Sequence, residues 1–237
     1  MSEILLNVQG LFVGYGEVPV LRDIHMDIRR GEIVALVGSN GAGKTTLLRA
    51  LSRVLAGTGK ITFDGHDLTH LTPDQGFALG LVQVPEGRQL FDQMTVFENL
   101  MMGAFRRRSK GAIHATLESV YALFPTLYER RTQRAGSLSG GEQQMCAIGR
   151  GLMATPKLLM VDEMSLGLAP VIIDQLLEVL STIRKQDVTV LLVEQDVFAA
   201  LEVADRGYVI ETGAVTQSGT ALELTESPEV KRAYLGI

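Results

Sequence analysis

The fold class of this 237-residue sequence is decided by one stretch, Gly38-Ser39-Asn40-Gly41-Ala42-Gly43-Lys44-Thr45. It matches the pattern G-x-x-x-x-G-K-[ST], in which glycine-rich backbone wraps a polyphosphate with its amide groups pointing inward. A continuous apolar run of strand length, residues 33–37, comes directly before it, and leucines at helical spacing follow from Thr45 to Arg53. The order of strand, glycine loop and helix therefore predicts a phosphate-binding loop.

This loop predicts contacts with a nucleotide polyphosphate and a divalent cation. Lys44 should pair with the β and γ phosphates, and Thr45 should offer its hydroxyl to Mg²⁺. The helix that begins at Lys44 adds the positive end of its dipole at the same place. A glycine turn that binds no ligand is the alternative, although the flanking strand and helix are the context that confirms the motif. The residues expected to contact the nucleotide here are Gly38, Ser39, Asn40, Gly41, Ala42, Gly43, Lys44, Thr45 and Thr46.

Two adjacent acids, Asp162 and Glu163, follow a second apolar run at 158–161. A phosphate-binding loop needs a carboxylate for the metal at the end of a neighbouring strand, and Asp162 has that position. Glu163 is then free to polarise the attacking water as a general base. Taken alone, the two acids could also mark a solvated loop. Together with the glycine loop they predict a magnesium ligand and a catalytic base.

Further segments place these motifs in one α/β domain. An apolar run at 188–193 predicts a third buried strand, and a helix-patterned segment at about 171–183 separates it from the strand at 158–161. Strand, helix and strand in that order imply right-handed crossovers and a mostly parallel sheet. Short alternating runs at the start of the chain predict a small antiparallel sheet from the segments 4–8, 14–16 and 20–28.

The pattern changes to helical periodicity between about residues 89 and 138. The apolar residues with this spacing are Val96, Leu100, Leu117, Val120, Leu123 and Phe124. We predict a single domain, residues 1–237, with a helical subdomain at about 89–138 inserted in the nucleotide-binding core. Near the end of the chain, 208–215 predicts a hairpin that turns at Thr212-Gly213.

The stretch Leu138-Ser139-Gly140-Gly141-Glu142-Gln143-Gln144 supplies a third motif. Ser139 and Glu142 have the spacing of a capping box, which opens a helix with an apolar face of Met145, Ile148 and Leu152. A helix start accounts for the serine and the glutamate but not for the two glycines. Bare backbone at a helix N-terminus is a second anion site, which suggests a nucleotide held between two copies of such a domain.

Composition excludes some classes of protein. The net charge of −5 argues against a dedicated nucleic-acid binder, because such proteins usually carry a basic surface. A single cysteine, Cys146, excludes an intrachain disulfide and a cysteine zinc cage and fits a reducing compartment. No stretch approaches the roughly 20 apolar residues that span a bilayer. We therefore expect a cytoplasmic protein that reaches a membrane only through partners.

The glycine loop, the L-S-G-G-[EQ] motif and the paired acids, in this order, resemble the ABC ATPase family over essentially the whole chain. The resemblance implies a P-loop NTPase core with an N-terminal antiparallel β-subdomain and an inserted α-helical subdomain. It also implies that two domains pack head to tail, so that Ser139, Gly140 and Gly141 of one face the phosphate bound at Lys44 of the other. Tyr15 matches the aromatic residue that stacks on adenine in this family, and an ordinary strand tyrosine is the alternative.

Four positions depart from the family pattern. Glu86 stands where a metal-touching, coupling glutamine is usual, and we include it among the expected metal ligands with Thr45 and Asp162. Gln195 stands where the family has a switch histidine; we count it as catalytic with Lys44 and Glu163, although its amide cannot titrate near neutrality. The other two departures are Met164 in place of proline and Ala169 in place of aspartate.

The strings V-P-E-G-R, S-L-G-L-A-P, V-E-Q and the ending A-Y-L-G resemble one of the two ATPase subunits of branched-chain (hydrophobic) amino-acid ABC importers. That resemblance implies a second ATPase subunit, identical or different, two membrane-spanning permease subunits and an extracytoplasmic solute-binding protein. It places the chain peripherally at the cytoplasmic face of the cell membrane. Importers of urea, amides or aromatic acids, and a noncatalytic regulatory nucleotide binder, are the alternatives.

Two segments of the predicted helical subdomain have two interpretations each. The basic run Arg106, Arg107, Arg108 and Lys110 is either a solvated face or a contact with phospholipid or a partner. The segment 95–100 matches a family region near the membrane subunits, and a plain helix start explains it equally well. DNA-repair and ribosome-associated ATPases share the nucleotide motifs. The short interval between Thr45 and Leu138 and the single cysteine argue against the first class, and the single cassette argues against the second.

Overall fold

The computed structural model describes residues 3–235. Residues 1, 2, 236 and 237 of the predicted 1–237 domain lie outside the described residues. Gly236 is the last residue of the A-Y-L-G ending. The described strands are β1 (Ile4–Tyr15), β2 (Val18–Arg29), β3 (Ile33–Val37), β4 (Thr58–Phe63), β5 (His66–Asp67), β6 (Leu81–Val84), β7 (Leu158–Asp162), β8 (Thr189–Glu194), β9 (Arg206–Glu211) and β10 (Ala214–Thr220). The described α-helices are α1 (Lys44–Leu51), α2 (Pro73–Ala78), α3 (Val96–Gly103), α4 (Lys110–Leu123), α5 (Pro125–Glu129), α6 (Gly140–Met153), α7 (Pro170–Arg184), α8 (Val197–Val203), α9 (Ala221–Glu226) and α10 (Pro228–Leu235).

A six-stranded sheet in the order β10-β9-β3-β8-β7-β6 forms the centre of the fold. Its strand pairs are parallel except for β9 with β10, which is the predicted hairpin. In the register, Val37 lies opposite Glu194, and Asp162 lies opposite Val193. The carboxyl ends of β3, β7 and β8 therefore meet at one edge of the sheet, which is where parallel α/β sheets bind ligands.

Alternation along the buried strands divides the core into two layers. In β3, Ile33, Ala35 and Val37 face the cluster formed with the longer helices, whereas Val34 and Leu36 face α1 and the N-terminal sheet. Each of these five side chains is fully buried. A strand that is apolar at every position is thus explained by burial on both of its faces.

The predicted N-terminal antiparallel sheet is confirmed, with the strand order β2-β1-β4-β5. The structure differs from the prediction in that the first two segments form one strand, β1. Its pairing with β2 shifts register between Val8 and Leu11, next to Gly10 at a φ of 58°. That bulge interrupts the alternation and made one strand resemble two.

Three helices, α3, α4 and α5, lie between β6 and α6, within the span 89–138 that was predicted to be a helical subdomain. Their apolar residues pack against α6, and five of the six predicted positions are buried, while Leu123 is partly buried. Asn99 is fully buried at the start of this region. Its amide accepts a hydrogen bond from the Phe91 N–H and donates to the Phe91 and Thr95 carbonyls. One polar side chain thereby fixes the chain that leads into α3.

The three arginines of the basic run lie between α3 and α4, and Lys110 begins α4. Part of the run is engaged within the chain. Arg106 pairs with Asp74. Arg107 donates hydrogen bonds to the Thr116 hydroxyl at 2.9 Å and to the Met153 carbonyl at 3.1 Å. These contacts favour an intramolecular role for Arg106 and Arg107. Thr95 and Glu98 form a capping box, which supports the helix-start interpretation of the segment 95–100.

Asp64, in the turn between β4 and β5, ties the two sheets together. Its carboxylate pairs with Lys157, just before β7, and with Arg30, just after β2. These hydrogen bonds, that from Lys157 first, lower the pKa of Asp64 below its ordinary value.

Among residues 3–235, no helix is long and apolar enough to cross a membrane.

Candidate functional site

The glycine loop between β3 and α1 has a backbone that larger residues cannot adopt. A Cβ on Gly38 would lie 2.3 Å from the Ile210 carbonyl oxygen, and Gly43 has a φ of 111°. The loop is anchored to the β9–β10 turn, because the Gly213 N–H donates to the Ala42 carbonyl at 2.9 Å. The glycines are therefore required for close packing against the hairpin as well as for an amide-lined cradle.

Lys44 begins α1 and is 4% exposed. Its Nζ donates to the carbonyls of Gly38 at 2.8 Å and Ser39 at 3.2 Å, and it lies 3.2 Å from Glu163 Oε1. No side chain caps the helix at Gly43. The first amides of α1 are thus left for an external anion, and the ammonium group is held at the same place.

A cavity of about 330 Å³ opens beside this lysine. It brings together parts of the chain that are far apart in sequence: the glycine loop, Glu86 after β6, and Glu163 after β7. Of the predicted nucleotide contacts, Gly38, Ser39 and Ala42 belong to the loop but do not line the cavity. The residues that line it are Val20, Asn40, Gly41, Gly43, Lys44, Thr45, Thr46, Glu86, Glu163 and Leu166.

Asp162 ends β7 beneath this cavity and is 1% exposed. Burial, helped by the charges of Glu163 and Glu86, raises its pKa to about 6, while Lys44 and the neighbouring Thr45 hydroxyl lower it. Its Oδ1 has no hydrogen-bond partner among the described residues. A buried carboxylate oxygen without a partner, next to a hydroxyl, is a donor set that fits a hard divalent cation.

The protein residues would not hold such a cation alone. Within residues 3–235, no group of three or more histidine, cysteine, aspartate or glutamate side chains is arranged to bind a metal. Magnesium is ordinarily held by one or two carboxylates together with substrate phosphates and water. The arrangement of Asp162, Thr45 and Glu86 therefore fits Mg²⁺ arriving with a nucleotide.

Glu163 has a left-handed backbone conformation, with a φ of 44°. Its N–H donates to the Val193 carbonyl at 2.9 Å and so extends the contact between β7 and β8 by one residue. Left-handed backbone is unfavourable for a residue with a Cβ and is found preferentially at functional sites. Here it turns the side chain back towards Lys44, where the carboxylate is 14% exposed.

The structure does not bring every predicted site residue to this cavity. Ser139, Gly140 and Gly141 open α6 and do not line it; a Cβ on Gly140 would lie 3.2 Å from the guanidinium of Arg88. The predicted capping box is present, since the Ser139 N–H donates to Glu142 Oε2 at 2.8 Å and the Glu142 N–H donates to Ser139 Oγ at 3.4 Å.

Tyr15 and Gln195 also lie outside the cavity lining. Tyr15 is 45% exposed, and its hydroxyl accepts a hydrogen bond from Arg49 at 3.1 Å. Hydrogen bonds, that with Thr46 first, lower the pKa of Tyr15. Gln195 is exposed at the end of β8. An exposed position for both residues leaves them accessible to a ligand or a second chain.

Sequence reasoning missed Glu194, which precedes Gln195. Its carboxylate is 3% exposed and accepts hydrogen bonds from the N–H of Ser165 at 3.1 Å and from its hydroxyl at 2.6 Å. Burial raises its pKa. These bonds fasten the segment after Glu163 to the end of β8. The signal was present, because Glu194 follows an apolar run as Asp162 does.

Comparison with known proteins agrees with this geometry. A family profile described as ABC transporter matches residues 21–165. The high-affinity branched-chain amino acid transport ATP-binding protein BraG of Pseudomonas aeruginosa is 47% identical over 98% of this chain and all of its own length. The probable branched-chain amino acid transport ATP-binding protein LivF of Archaeoglobus fulgidus is 35% identical over 98% of this chain and 99% of its own.

The fold has a solved counterpart as well. A nucleotide-free ATP-binding cassette from an ABC transporter superposes with a TM-score of 0.87 at 24% identity, over 99% of this chain and 100% of its own. That likeness confirms the predicted P-loop core with its antiparallel sheet and helices. The motifs, the geometry and the sequence matches lead to one assignment: the chain belongs to the ABC transporter family.

Proposed function

We propose that this chain binds and hydrolyses ATP as the energy-supplying subunit of an ABC importer for branched-chain or other hydrophobic amino acids. The cavity that joins Lys44, Thr45, Glu86 and Glu163 above Asp162 carries the enzymatic part of the proposal. The similarity to BraG and LivF, both named for branched-chain amino acid transport, supports the cargo.

Each residue of the site has its own role in ATP hydrolysis. Lys44, now held by two carbonyls and Glu163, turns to the β and γ phosphates when ATP enters. Glu163 is then released to accept a proton from the attacking water. Thr45, Asp162 and Glu86 hold Mg²⁺, which when bound neutralises charge on the phosphates. Gln195 offers an amide hydrogen bond to the phosphate from the end of β8.

The exposed predicted residues act on a nucleotide shared between two subunits. Tyr15 stacks on the adenine of ATP bound to its own chain. Ser139, Gly140 and Gly141 complete the site of a second ATPase subunit, whose corresponding residues close over Lys44. That arrangement explains why the three residues at the start of α6 are absent from the cavity of a single chain.

Closure of this pair is conveyed to the membrane by the helical subdomain, residues 89–138. The proposed assembly has two membrane-spanning permease subunits, beneath which the chain lies peripherally at the cytoplasmic face of the cell membrane. An extracytoplasmic solute-binding protein delivers the amino acid. Nucleic acid is not a partner in this proposal, in agreement with the net charge of −5.

A transport assay tests the proposal. In cells that lack the chain, uptake of radiolabelled leucine, isoleucine and valine should be lost and should return with the wild type. Lys44→Ala should not restore it, whereas Lys60→Ala, a change at an exposed lysine in β4, should. Uptake that is independent of the chain would refute the cargo, and restoration by Lys44→Ala would refute the role of ATP.

A further inference from the structure

The turn after β6 has an unusual backbone. Gly87, Arg88 and Gln89 are all left-handed, with φ values of 72°, 64° and 46°. Glycine adopts such angles freely, but Arg88 and Gln89 do so at a cost in free energy. Within the turn, the Gln89 N–H donates to the Gly87 carbonyl at 2.6 Å. One short bond does not explain two consecutive unfavourable residues, so another contact must hold them.

That contact comes from Arg150, in the last turn of α6. Its guanidinium donates to the Arg88 carbonyl at 3.0 Å and to the Gln89 carbonyl at 2.8 Å. The two residues are 62 and 61 positions from Arg150 in the sequence. A planar guanidinium presents two parallel donors, which match two successive carbonyls that both point to one side of a turn.

A second arginine links the turn to the other end of α6. Arg88 Nη1 donates to Gln143 Oε1 at 3.2 Å, and Gln143 Nε2 donates to the Leu138 carbonyl at 3.3 Å. The turn is therefore connected to the first turn of α6 through Arg88 and to its last turn through Arg150. Glu86, immediately before the turn, lines the nucleotide cavity.

We propose that Arg150 is a positioning residue that holds the Gly87–Gln89 turn in its left-handed form and so keeps Glu86 in the nucleotide cavity. The hydrogen bonds of Arg150 support its role in holding the turn. The effect of the turn on catalysis rests on the proposed function.

Hydrogen exchange tests the structural part without activity. In the full chain, Arg150→Met should raise the exchange rate of peptides covering residues 84–91 about tenfold, since the segment then opens locally. Arg150→Lys, which keeps the charge but lacks the planar pair of donors, should give an intermediate rate. Arg108→Met, at an exposed arginine, is the matched control and should leave these peptides unchanged. Equal exchange of 84–91 in the wild type and Arg150→Met would overturn the proposal.

Steady-state ATPase measurements test the consequence. Arg150→Met should lower kcat about tenfold or more, as a misplacement of about 1 Å does, while the KM for ATP changes less than about threefold. Gln89→Gly removes the cost of a left-handed residue at this position. The double variant Arg150→Met/Gln89→Gly should therefore have a kcat well above that of Arg150→Met and close to that of Gln89→Gly. A loss of thermal stability with unchanged kcat, or a double variant no better than Arg150→Met, would overturn the positioning role.

The two tests separate this inference from the proposed function. If the wild type, assembled with the second ATPase subunit and the permease subunits, hydrolyses no ATP yet exchange at 84–91 accelerates in Arg150→Met, the positioning of the turn is supported and the proposed function fails. If the wild type hydrolyses ATP and Arg150→Met matches it in both assays, the proposed function is supported and the positioning role is refuted.

Discussion

Replacing Glu163 by glutamine removes one negative charge from the nucleotide cavity and keeps the length of the side chain. In the free protein, Glu163 Oε1 lies 3.2 Å from Lys44 Nζ, and both groups are largely shielded from water. At that distance and an effective dielectric constant of about 20, the gross attraction is about 5 kcal/mol before desolvation is subtracted. ATP must break this pair, and it then leaves a carboxylate beside its own negative phosphates.

Glu163→Gln should therefore bind ATP at least as tightly as the wild type. Hydrolysis should fall about 10²–10⁴-fold, the range that a positioned general base contributes, because an amide does not accept a proton at neutral pH. Glutamine has the same left-handed cost at this position, so the substitution should leave the backbone strain unchanged.

The assay is phosphate release under saturating Mg-ATP, with binding of a fluorescent ATP analogue measured on the same preparation. Glu202→Gln, at an exposed glutamate of α8, is the matched control and should match the wild type in both measurements. Glu163→Asp keeps the charge but draws the carboxylate back by about one bond. Because the carboxylate is then misplaced, the rate of ATP hydrolysis should fall about 10²-fold. Undiminished turnover in Glu163→Gln would remove this residue as the base.

Three further predictions concern packing, reactivity and pH. Gly38→Ala places a Cβ 2.3 Å from the Ile210 carbonyl oxygen and should lower the free energy of unfolding in urea by about 1–3 kcal/mol, whereas Gly111→Ala, with no atom within 4 Å, should not lower it. Cys146 is fully buried with its pKa raised to about 12, so it should react with N-ethylmaleimide at pH 7 only after denaturation. Asp64→Asn should cost about 0.5–1 kcal/mol at pH 7, because its two paired cations are both more than a third exposed to solvent. Because the folded pKa of Asp64 is lowered, its contribution is present above the unfolded value of about 3.9 and is lost as pH falls through the folded value, so variant and wild type should converge below pH 4.

Buried parallel strands and their motifs were the predictable part of the fold. The runs that became β3, β7 and β8 are apolar at nearly every position because both faces of the central sheet are covered. The predicted helix at about 171–183 is α7 within one residue at each end. The strands β4 and β5 were not predicted, since Thr58, Gly59 and Lys60 are exposed and β5 has only two residues, both exposed.

The residues of the cavity and its surroundings also include some that the sequence predicts and some that it does not. Lys44, Thr45, Asp162 and Glu163 were predictable because each lies at the carboxyl end of a buried strand or in a loop with strict glycine requirements. The contact of Arg150 with the turn after β6 was not, because its acceptors are main-chain carbonyls. Main-chain carbonyls belong to every residue and leave no trace in the sequence. Left-handed angles at Arg88 and Gln89 are equally invisible, since neither residue type favours them.

The backbone at position 163 is unfavourable for a residue with a Cβ, and the proposed function gives a reason for it. Its φ of 44° would suit glycine, and a glycine there would relieve strain at the end of β7. The left-handed turn is nevertheless what directs a carboxylate from the end of β7 to within 3.2 Å of Lys44. An extended residue would follow the strand direction instead and lose that approach. Under the proposed function, the unfavourable angle is kept because the catalytic carboxylate acts from that point. The hydrogen bond from the Glu163 N–H to the Val193 carbonyl offsets the strain, and Glu194 holds the following loop through Ser165.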